Sequence, residues 1–391
     1  MKAYFVLGAT GSVGSAVVAR LLSDPQSRVF ALVRAASSSA AAGRLDTALA
    51  ALGVRDRVST DGGRLHVLVG DVEQPRLGLS TADYNLLSTN CSHIIHCAGV
   101  VRMNLPLAAA RRATVDAVQN VLEFAQSQKR AGLLKKVEIV STVGVAGRES
   151  RLLREEWVGA NHEFHNTYEQ AKAEAEQLVH DAVLNGLPVT VHRPSMVVGD
   201  SRTGHTLHFQ IFYFIVEFLS GRRTRGFFPD FGAARLDIVP VDFVAEAIVR
   251  SNQSNITNGK ILHLCVGPRG AVPLRRLLAF VHDSLAARGE RLPKPRYVSR
   301  RLFQMLATGL RLLVDARTRA ALATLPIFLD YLDTDQAFDN LRTAAWLKDE
   351  GVAIPPIEDY LPRVLDFYFA LKRQRPTSEV ENEAANAHVH E

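Results

Sequence analysis

The sequence predicts an α/β protein: a doubly wound parallel sheet with a smaller, mainly helical C-terminal lobe. Short apolar runs alternate with amphipathic runs of helical length through residues 3–192, and this alternation indicates βαβ units with parallel strands. From residue 274 onward the pattern is mainly helical. The chain has 391 residues, of which 47% are hydrophobic, so it can bury the core of one large domain and of an appended one.

Six predicted strands lie in the first half of the chain, and a seventh follows later. Helical patterns at residues 16–22, 105–128 and 167–185 separate them, whereas residues 35–42, rich in Ser and Ala, predict a mobile loop. Residues 237–239 predict a return of the chain to the sheet. The predicted strands are Ala3–Leu7, Arg28–Val33, Leu65–Val69, His93–Cys97, Val137–Val140, Val189–His192 and Ile261–Val266.

A glycine-rich turn joins the first predicted strand to the first helix. It comprises residues 8–14, Gly-Ala-Thr-Gly-Ser-Val-Gly. Glycine lets the backbone turn sharply and approach a ligand closely, and the N-terminus of the following helix offers N–H groups to a pyrophosphate. Because the strand and the helix both flank the turn, we predict a Rossmann-type dinucleotide site. Its predicted contacts are Gly8, Thr10, Gly11, Ser12, Val13 and Gly14.

The residues after the second and third strands bear on the choice of cofactor. An acid about 20 residues beyond the glycines holds the ribose 2′-OH of NAD, whereas an arginine accommodates the 2′-phosphate of NADP. No Asp or Glu occurs in residues 25–45, but Arg34 and Arg44 do, so we predict NADPH. Asp71 can accept a hydrogen bond from the adenine amino group or cap a turn. The other predicted cofactor contacts are Val72, Ala98, Gly99, Pro194 and Ser195.

Tyr168 and Lys172 are the strongest candidates for chemistry. Their i, i+4 spacing on a predicted helix places both on one face. A lysine ammonium beside a phenol lowers the pKa of the phenol, and such a tyrosine can act as a general acid or base near neutral pH. Thr142, at the end of the fifth strand, can donate a hydrogen bond to a substrate oxygen. We therefore predict that Thr142, Tyr168 and Lys172 are catalytic.

Several motifs together resemble the extended short-chain dehydrogenase/reductase superfamily over residues 3–270. The segment 197–204, Val-Val-Gly-Asp-Ser-Arg-Thr-Gly, is similar to the thioester-reductase and fatty-acyl-reductase branch, which includes the reductase domains of carboxylic acid reductases. The motifs that carry the wider resemblance are Gly8-x-x-Gly11-x-x-Gly14, Ser141-Thr142, Tyr168-x-x-x-Lys172 and Arg193-Pro194.

This resemblance implies an NADPH-dependent reductase of a lipid-like acyl thioester. Hydride transfer to the carbonyl would give a hemithioacetal that collapses to an aldehyde and a thiol, and a second hydride would give an alcohol. By the resemblance, Arg34 and Arg44 contact the 2′-phosphate, Asp71 the adenine, and Lys172 the nicotinamide ribose. Thr114 stands where the family usually has an Asn that shapes a proton-relay bend. Because no carrier segment precedes the domain, the thioester is expected to arrive free, as a CoA ester or on a separate carrier protein.

Two other functional classes are compatible with the same residues. The first is another enzyme of this fold, such as a ketone or hydroxysteroid reductase or a nucleotide-sugar epimerase or dehydratase. The second is a non-catalytic NADP-binding sensor that acts through a protein partner. Sensors of this type typically lose the Tyr/Lys pair, which this chain retains. The retained pair therefore favours an enzyme.

Three stretches of the C-terminal half leave alternatives open. The aromatic run 209–219 can line an acyl pocket or form a core helix. The basic, amphipathic stretch 300–314 can contact a membrane surface peripherally or pack as an ordinary helix. The run Arg222–Arg225 can be a solvated turn or a clamp for CoA or phosphopantetheine phosphates.

These patterns also predict the domain limits. Residues 1–200 form the NADP-binding domain, to which 236–266 return; 201–235 and 267–373 form the substrate lobe; and 374–391 are predicted to be disordered. The His-x-x-His pairs lack a third ligand, so no metal is predicted.

Composition bounds the remaining classes of function. The net charge of +6 suits an anionic ligand without requiring nucleic acid. The three cysteines have no metal spacing and suggest a reducing compartment. No signal peptide or membrane span is evident, so we expect a cytoplasmic protein, monomeric or homodimeric, with contact to the inner face of a membrane as an open option.

Overall fold

A computed structural model describes residues 2–54, 63–103, 105–149, 152–303, 305 and 336–374. Its main feature is a seven-stranded parallel sheet, as the alternation of strands and helices predicts. The strands, in chain order, are β1 (Lys2–Leu7), β2 (Ser27–Val33), β3 (Leu65–Val69), β4 (His93–His96), β5 (Lys136–Val140), β6 (Leu152–Leu153), β7 (Val189–Pro194), β8 (Met196–Val198), β9 (Phe227–Pro229), β10 (Arg235–Leu236), β11 (Ile238–Pro240), β12 (Ile261–Leu264), β13 (Val272–Pro273), β14 (Arg296–Val298) and β15 (Ala337–Phe338).

Helices connect these strands. A π-helical turn at Arg112–Asp116 joins α4 to α5, and 3₁₀ turns lie at Pro75–Gly78, Val143–Ala146 and Asn255–Thr257. The described α-helices, in chain order, are α1 (Ser12–Leu22), α2 (Ser38–Ala51), α3 (Thr81–Asn90), α4 (Leu107–Arg111), α5 (Ala117–Arg130), α6 (Thr167–Leu184), α7 (Ile211–Leu219), α8 (Val241–Gln253), α9 (Gly267–Gly270), α10 (Leu274–Ala286), α11 (Leu341–Asp349) and α12 (Ile357–Gln374).

The strand order places a crevice next to β1. The order across the sheet is β3-β2-β1-β4-β5-β7-β12, so the chain moves outward in one direction from β1 to β3 and in the other from β4 to β12. In doubly wound sheets, ligands bind at the carboxyl ends of the strands where this direction reverses. The reversal lies between β1 and β4, which is where the glycine-rich turn leaves β1.

Helices cover both faces of the sheet because successive strand residues point to opposite sides. Val6 contributes to the core under α1 and α8, in which Val17 and Ile248 are also buried. The neighbouring Phe5 points to the other face, where it packs with Phe124 of α5. Val179 of α6 is buried in the same core. The α6 helix, which carries Tyr168 and Lys172, thus packs against the face of the sheet to which Phe5 points.

A third apolar core forms the C-terminal lobe. It is enclosed by α7, α10 and α12 and includes Phe212, Leu277 and Leu365, all fully buried. The Tyr360 hydroxyl donates a hydrogen bond to the Ile238 carbonyl at 3.0 Å, which ties α12 to β11. Of the two interpretations of the aromatic run 209–219, the core helix therefore describes most of its side chains.

The prediction of a mobile loop over residues 35–42 is wrong from Ser38 onward. Residues from Ser38 onward form α2, and the Ser37 side chain caps this helix by accepting a hydrogen bond from the Ala40 N–H at 3.2 Å. Alanine has the highest helix propensity and serine favours the N-cap position, so a stretch rich in both begins a helix readily.

Two boundary predictions also differ from the structure. The sequence pattern places residues 341–352 in the substrate lobe, but Leu347 and Val352 are buried in the core that includes β1 and α1. The return strand predicted at 237–239 is β11, and it pairs with β8 in a separate two-stranded sheet rather than with the main sheet. Both differences arise from packing between segments far apart in the chain, which local patterns do not encode.

Two interpretations concern segments largely outside the described residues. Of the stretch 300–314, only residues 300–303 and 305 are described, and nothing beyond 374 is. The membrane contact and the disorder of 374–391 therefore stay predictions. Within the described part of the chain, none of the helices combines the length and the apolar character needed to cross a bilayer.

Candidate active site

Gly8 and Gly14 shape the turn after β1 because side chains have no room there. Gly8 has φ +81°, and a Cβ at this position would lie 2.5 Å from the backbone nitrogen of Ala98. A Cβ at Gly14 would lie 2.0 Å from the Gly8 carbonyl oxygen. The Gly11 N–H donates to the same oxygen at 3.0 Å and closes the turn. The backbones that follow β1 and β4 thereby approach closely, and the start of α1 faces the crevice.

The start of α1 suits an anionic group. The helix begins at Ser12, its cap residue Gly11 has no side chain, and its first turn contains no acidic residue. The Oγ of Ser12 is buried, with no hydrogen-bond partner among the described residues. Thr10 and Val13 lie beside it, partly exposed. These features fit the pyrophosphate of a dinucleotide, which a helix N-terminus binds through its N–H groups and its dipole.

Arg34, Arg44 and Asp71 come together where β2 and β3 end. The Arg44 guanidinium donates a hydrogen bond to the Arg34 carbonyl, and both side chains are exposed. Nη1 of Arg34 lies 4.0 Å from a carboxylate oxygen of Asp71 and 4.0 Å from one of Glu73. Asp71 also accepts the Glu73 N–H at 3.0 Å, so it caps a turn, as one of its two interpretations predicts. Two exposed arginines and two carboxylates therefore meet at this edge of the sheet, and the contact of the arginines with a 2′-phosphate remains a prediction.

The other predicted cofactor contacts line the same edge of the sheet. Val72 follows β3, and Ala98 and Gly99 follow β4, directly beside the glycine turn. Pro194 ends β7, and the N–H of Ser195 donates to the Leu264 carbonyl at 3.1 Å. All five therefore lie at carboxyl ends of strands, and their contacts with a cofactor remain predictions.

The three predicted catalytic side chains meet at the carboxyl end of β5. The Thr142 hydroxyl lies near enough to the phenol of Tyr168 to lower its pKa. Nζ of Lys172 donates to the Val140 carbonyl at 3.1 Å, and it lies 3.1 Å from the position of a Cβ on Gly99. Lys172 is buried, whereas Thr142 and Tyr168 are half-buried and partly accessible. The structure therefore brings together the phenol, the hydroxyl and the ammonium next to the cofactor crevice.

The start of α6 holds Tyr168 at the second position of the helix. Asn166 caps this helix by accepting the Glu169 N–H at 3.0 Å. In return, Glu169 accepts the N–H of His165 at 3.0 Å, which completes a reciprocal cap of the capping-box type. The Thr167 hydroxyl also donates to the Leu105 carbonyl at 2.8 Å. These bonds fix the first turn of α6, and with it the direction of the phenol.

The ionisation of this pair differs from the sequence-based prediction. The spacing predicts that Lys172 lowers the pKa of Tyr168, but burial raises the pKa of the phenol to about 12, against a smaller lowering by the nearby Thr142 hydroxyl. Burial also lowers the pKa of Lys172 to about 8, although the Glu176 carboxylate opposes this shift. The prediction is wrong because burial disfavours the charged phenolate more than the contact with Thr142 favours it. At pH 7 the phenol keeps its proton and the lysine is mainly an ammonium.

This arrangement can deliver a proton to an oxygen in the crevice. A nicotinamide, when bound, supplies a hydride. Thr142 accepts the N–H of Gly144 at 3.1 Å, which orients its hydroxyl. Tyr168 carries a proton for an oxygen that becomes negative, and Lys172 places a positive charge beside it. Donors placed where negative charge develops stabilise that charge most in a site that excludes water.

The predicted helix that carries Thr114 is distorted at that residue. Thr114 is buried within the π-helical turn Arg112–Asp116, which packs against α6. Such turns insert one residue into a helix and bend it locally, and they occur frequently at functional sites. The long helix predicted for 105–128 is therefore divided at this point.

The segment that carries the thioester-reductase resemblance, residues 197–204, forms a tight connector. The Asp200 carboxylate accepts the Thr203 N–H at 3.0 Å, and Asp242 of α8 accepts the Ser201 N–H at 2.8 Å. Gly204 has φ +74°, and a Cβ there would lie 2.2 Å from the Arg363 carbonyl oxygen of α12. This segment therefore joins the nucleotide-binding domain to the C-terminal lobe.

The basic run after α7 is engaged within the lobe. Arg222 forms an ion pair with Glu290, which Arg373 of α12 also approaches at 3.5 Å. Arg225 adopts a left-handed backbone conformation with φ +51°, as in a turn. The solvated-turn interpretation accounts for these contacts, and the structure gives no separate support to a phosphate clamp.

Sequence reasoning missed a buried polar network beneath the catalytic pair. Arg193 donates to Glu176 through two nitrogens, at 3.0 and 2.6 Å, and the Ser141 hydroxyl donates to the same carboxylate. Arg193 is fully buried and Glu176 is 2% exposed. A signal was present, because Glu176 follows Lys172 by four residues, as Lys172 follows Tyr168. Its partner Arg193 lies on strand β7, and no local pattern indicates this contact between helix and strand.

Comparisons with known proteins agree with this geometry. Residues 6–248 match the NAD-binding family model described as male sterility protein. The chain is 30% identical to one of the proteins that make up the linear gramicidin synthase of Brevibacillus parabrevis, over 268 residues, which are 67% of this chain and 5% of that protein. It therefore spans a small part of that relative's length.

Two solved structures share the fold over nearly the whole chain. The terminal R domain of the myxalamid PKS-NRPS biosynthetic pathway superposes with a TM-score of 0.79 at 25% identity, over 96% of this chain and 91% of that one. The thiolation-reductase di-domain of an archaeal non-ribosomal peptide synthetase has a TM-score of 0.77 at 19% identity, over 96% of this chain and 76% of that one.

The family match covers more than half of the chain and includes the glycine turn, Thr142, Tyr168 and Lys172. The predicted fold class and the predicted resemblance are both confirmed. The chain belongs to the male sterility protein family, in the thioester-reductase branch of the extended short-chain dehydrogenase/reductases, and is an NAD(P)-dependent oxidoreductase.

Proposed function

We propose that this chain uses NADPH to reduce the thioester carbonyl of an acyl group on a carrier protein, and that it releases an aldehyde. The observation that carries the proposal is the meeting of Thr142, Tyr168 and Lys172 at the edge of the cofactor crevice. A carbonyl oxygen placed there would face two hydroxyl donors. The similarity to a thiolation-reductase di-domain supports a carrier-bound substrate.

In the proposed reaction, hydride adds to the carbonyl carbon while the Tyr168 proton passes to the oxygen, which gives a hemithioacetal. Its C–S bond then breaks as the oxygen loses its proton, and the sulfur leaves as a thiol. The products are an aldehyde, the carrier thiol and NADP⁺. Thr142 holds the oxygen in place, and the Lys172 ammonium favours the phenolate that remains on Tyr168 until solvent returns a proton.

We choose NADPH over NADH because of the charges beyond β2. Arg34 and Arg44 are both exposed, and the Arg44 guanidinium donates a hydrogen bond to the Arg34 backbone carbonyl. An arginine presents a planar set of donors that matches the oxygens of a phosphate. The ribose 2′-OH of NADH would offer this edge no charge to bind.

A lipid-like acyl chain is a finer part of the proposal, supported by α7. Phe212 and Val216 fill the core of the lobe, whereas Ile211 and Phe214 are partly exposed. Their spacing of three residues places Ile211 and Phe214 on one side of the helix. A partly exposed apolar stripe suits an apolar chain. Reduction of the aldehyde to an alcohol by a second hydride remains part of the same proposal.

The test presents one acyl group on different carriers. The same acyl group is supplied on a phosphopantetheinylated carrier protein, on CoA and on free pantetheine, alongside ketones and nucleotide sugars. NADPH oxidation and product identification are measured for each. We expect the highest kcat/KM for the carrier-bound thioester, with the aldehyde as the first product. Faster turnover of a ketone or a nucleotide sugar would replace this function with the other enzyme class.

The non-catalytic alternative requires a separate measurement. A sensor would bind NADPH and leave every one of these substrates unchanged. Binding without turnover across the panel would therefore favour the sensor.

Location in the cytoplasm and peripheral membrane contact are proposed from sequence composition. Flotation with anionic vesicles at physiological salt tests the membrane contact, and a protein that does not float with the vesicles would contradict it.

A further inference from the structure

We propose that Glu176 is a positioning residue for catalysis: together with its buried partner Arg193, it fixes Ser141 and the Lys172 turn of α6 relative to each other. The inference rests on the proposed catalytic roles of Tyr168 and Lys172. It assigns to Glu176 a function in the reaction rather than in folding alone.

Glu176 continues the catalytic face of α6. Tyr168, Lys172 and Glu176 follow one another at intervals of four residues, which places them one above the other on the helix. Glu176 is 2% exposed and Lys172 is 6% exposed, so an anion and a cation lie one turn apart where water cannot screen them. The charge of Glu176 therefore acts directly on the protonation of Lys172.

Arg193 fixes the Glu176 carboxylate in one orientation. Nε of Arg193 donates to Oε1 at 3.0 Å, and Nη2 donates to Oε2 at 2.6 Å. A two-point contact of this kind gives geometric specificity that a single bond does not. Arg193 is 0% exposed and belongs to β7, so the contact anchors α6 to the sheet.

The same carboxylate holds the end of β5. The Ser141 hydroxyl donates to Oε1 of Glu176, and the Ser141 N–H donates to the His192 carbonyl at 2.7 Å. Thr142 is the next residue, with extended backbone, so its hydroxyl points away from the side on which Ser141 is bound. Glu176 therefore connects two parts of the site. It belongs to the helix that carries Lys172, and it binds Ser141 at the strand end that precedes Thr142.

The network also includes a histidine with a defined protonation state. Nη1 of Arg193 lies 3.2 Å from Nε2 of His263, and Nδ1 of His263 lies 2.7 Å from the Asp339 carbonyl oxygen. A carbonyl accepts and a guanidinium donates, so Nδ1 carries the proton and Nε2 accepts. Burial, and then Arg193, lowers the pKa of His263 to about 3, which keeps it neutral at physiological pH. Glu176 is therefore the carboxylate that Arg193 binds and that lies one helical turn from Lys172.

The decisive variant is Glu176→Gln, with the pH dependence of kcat/KM as the readout. Glutamine keeps the shape and an accepting oxygen but removes the charge. Without the nearby carboxylate, the pKa of Lys172 falls further below its usual range, so the ammonium is lost at lower pH. We expect the basic limb of the profile to move to lower pH by about one unit, and kcat/KM at pH 7 to fall about twofold.

Two further variants separate positioning from general stability. Glu176→Asp keeps the charge but withdraws the carboxylate from Ser141 and Arg193; we expect a lower kcat with the basic limb close to that of the wild type. Glu174→Gln is the matched control, because Glu174 lies on the same helix and pairs with Arg111 at the surface. We expect its pH profile to coincide with that of the wild type.

The outcomes distinguish the inference from the proposed function. If Tyr168→Phe loses turnover while Glu176→Gln keeps the wild-type basic limb and merely lowers the melting temperature, Glu176 is structural and the inference fails. If Tyr168→Phe retains turnover, the proposed catalytic function fails first. Should Glu176→Gln not fold, the Glu176→Asp variant decides, because an unchanged kcat there would also overturn the inference.

Discussion

The two ends of the cofactor crevice differ in how they use charge. At the catalytic end, Lys172 is buried, and burial moves the pKa of Tyr168 and that of Lys172 in opposite directions. At the far end, Arg34 and Arg44 are exposed and lie next to acidic side chains. The first end sets protonation states through burial, whereas the second holds exposed charges that solvent screens.

This difference predicts two kinds of response to mutation. A change at the catalytic end removes a group that acts on the reacting atoms, so the chemical step suffers while cofactor binding survives. A change at the exposed end weakens an attraction that solvent already screens, so affinity falls by a smaller factor. Comparing NADPH binding with turnover in each variant separates the two.

The largest effect is expected for Tyr168→Phe. This change removes the proton donor and keeps the ring, so kcat should fall by about 10³ while the Kd for NADPH stays within about twofold of the wild-type value. Stopped-flow NADPH oxidation and fluorescence titration measure the two quantities. The matched control is Tyr84→Phe on α3, where the ring stacks with Arg76, and it should leave both unchanged. Full turnover by Tyr168→Phe contradicts the assigned role.

The next effect concerns the two exposed arginines. The double change Arg34→Ala and Arg44→Ala should lower kcat/KM for NADPH by about 10- to 100-fold, because each charged hydrogen bond to a phosphate contributes about 1.5–3 kcal/mol before solvent screening. The kcat/KM for NADH should change little. Arg275→Ala, which removes an exposed pair with Asp230 in the C-terminal lobe, serves as the control. Equal losses for NADPH and NADH would show that these arginines do not bind the 2′-phosphate.

Turnover should depend on pH through Lys172. Its pKa is about 8, lowered by burial, so it is an ammonium below that pH and becomes neutral as pH rises through it. With the ammonium as the active form, kcat/KM should be level near pH 7 and fall by up to about tenfold per unit above pH 8. Tyr168, whose pKa is about 12, keeps its proton over this range. A profile that is flat to pH 10 would contradict the role assigned to Lys172.

The smallest effect is expected from salt. Raising ionic strength from about 0.05 to 0.5 M should increase the KM for NADPH a few-fold, because the exposed guanidinium groups are screened within a Debye length of a few ångströms. The kcat should change much less, since the buried end is shielded from ions. Steady-state kinetics at matched pH test this. A kcat that falls with salt while the KM for NADPH stays constant would contradict the view that exposed charge acts in cofactor binding and buried charge in the chemical step.

The parts of the site that local patterns predict are those built from neighbouring residues. The glycine turn, the end of β5 and the Tyr168–Lys172 spacing each involve consecutive residues or one helical turn. Local patterns predict all three, and the structure places them at one crevice. The start of α2 at Ser38 is also local, but its composition of small residues resembles that of a loop.

The features that local patterns do not predict depend on contacts between distant segments. Arg193 of strand β7 contacts Glu176 of helix α6, and Leu347 of the C-terminal region is buried in the core that includes β1. The pKa of Tyr168 depends on how deeply the phenol is buried, which spacing does not report. The charge of Lys172 is visible in the sequence, but its desolvation is not.

The most direct test of the proposed reaction follows the hydride itself. NADPH carrying deuterium at C4 is mixed with the protein and a carrier-bound acyl thioester, and the released product is analysed by mass spectrometry. We predict an aldehyde with one deuterium on its carbonyl carbon from one C4 epimer of the cofactor, and a Tyr168→Phe variant that releases almost none. Unlabelled aldehyde, or an intact thioester after prolonged incubation with bound NADPH, would contradict this hydride transfer.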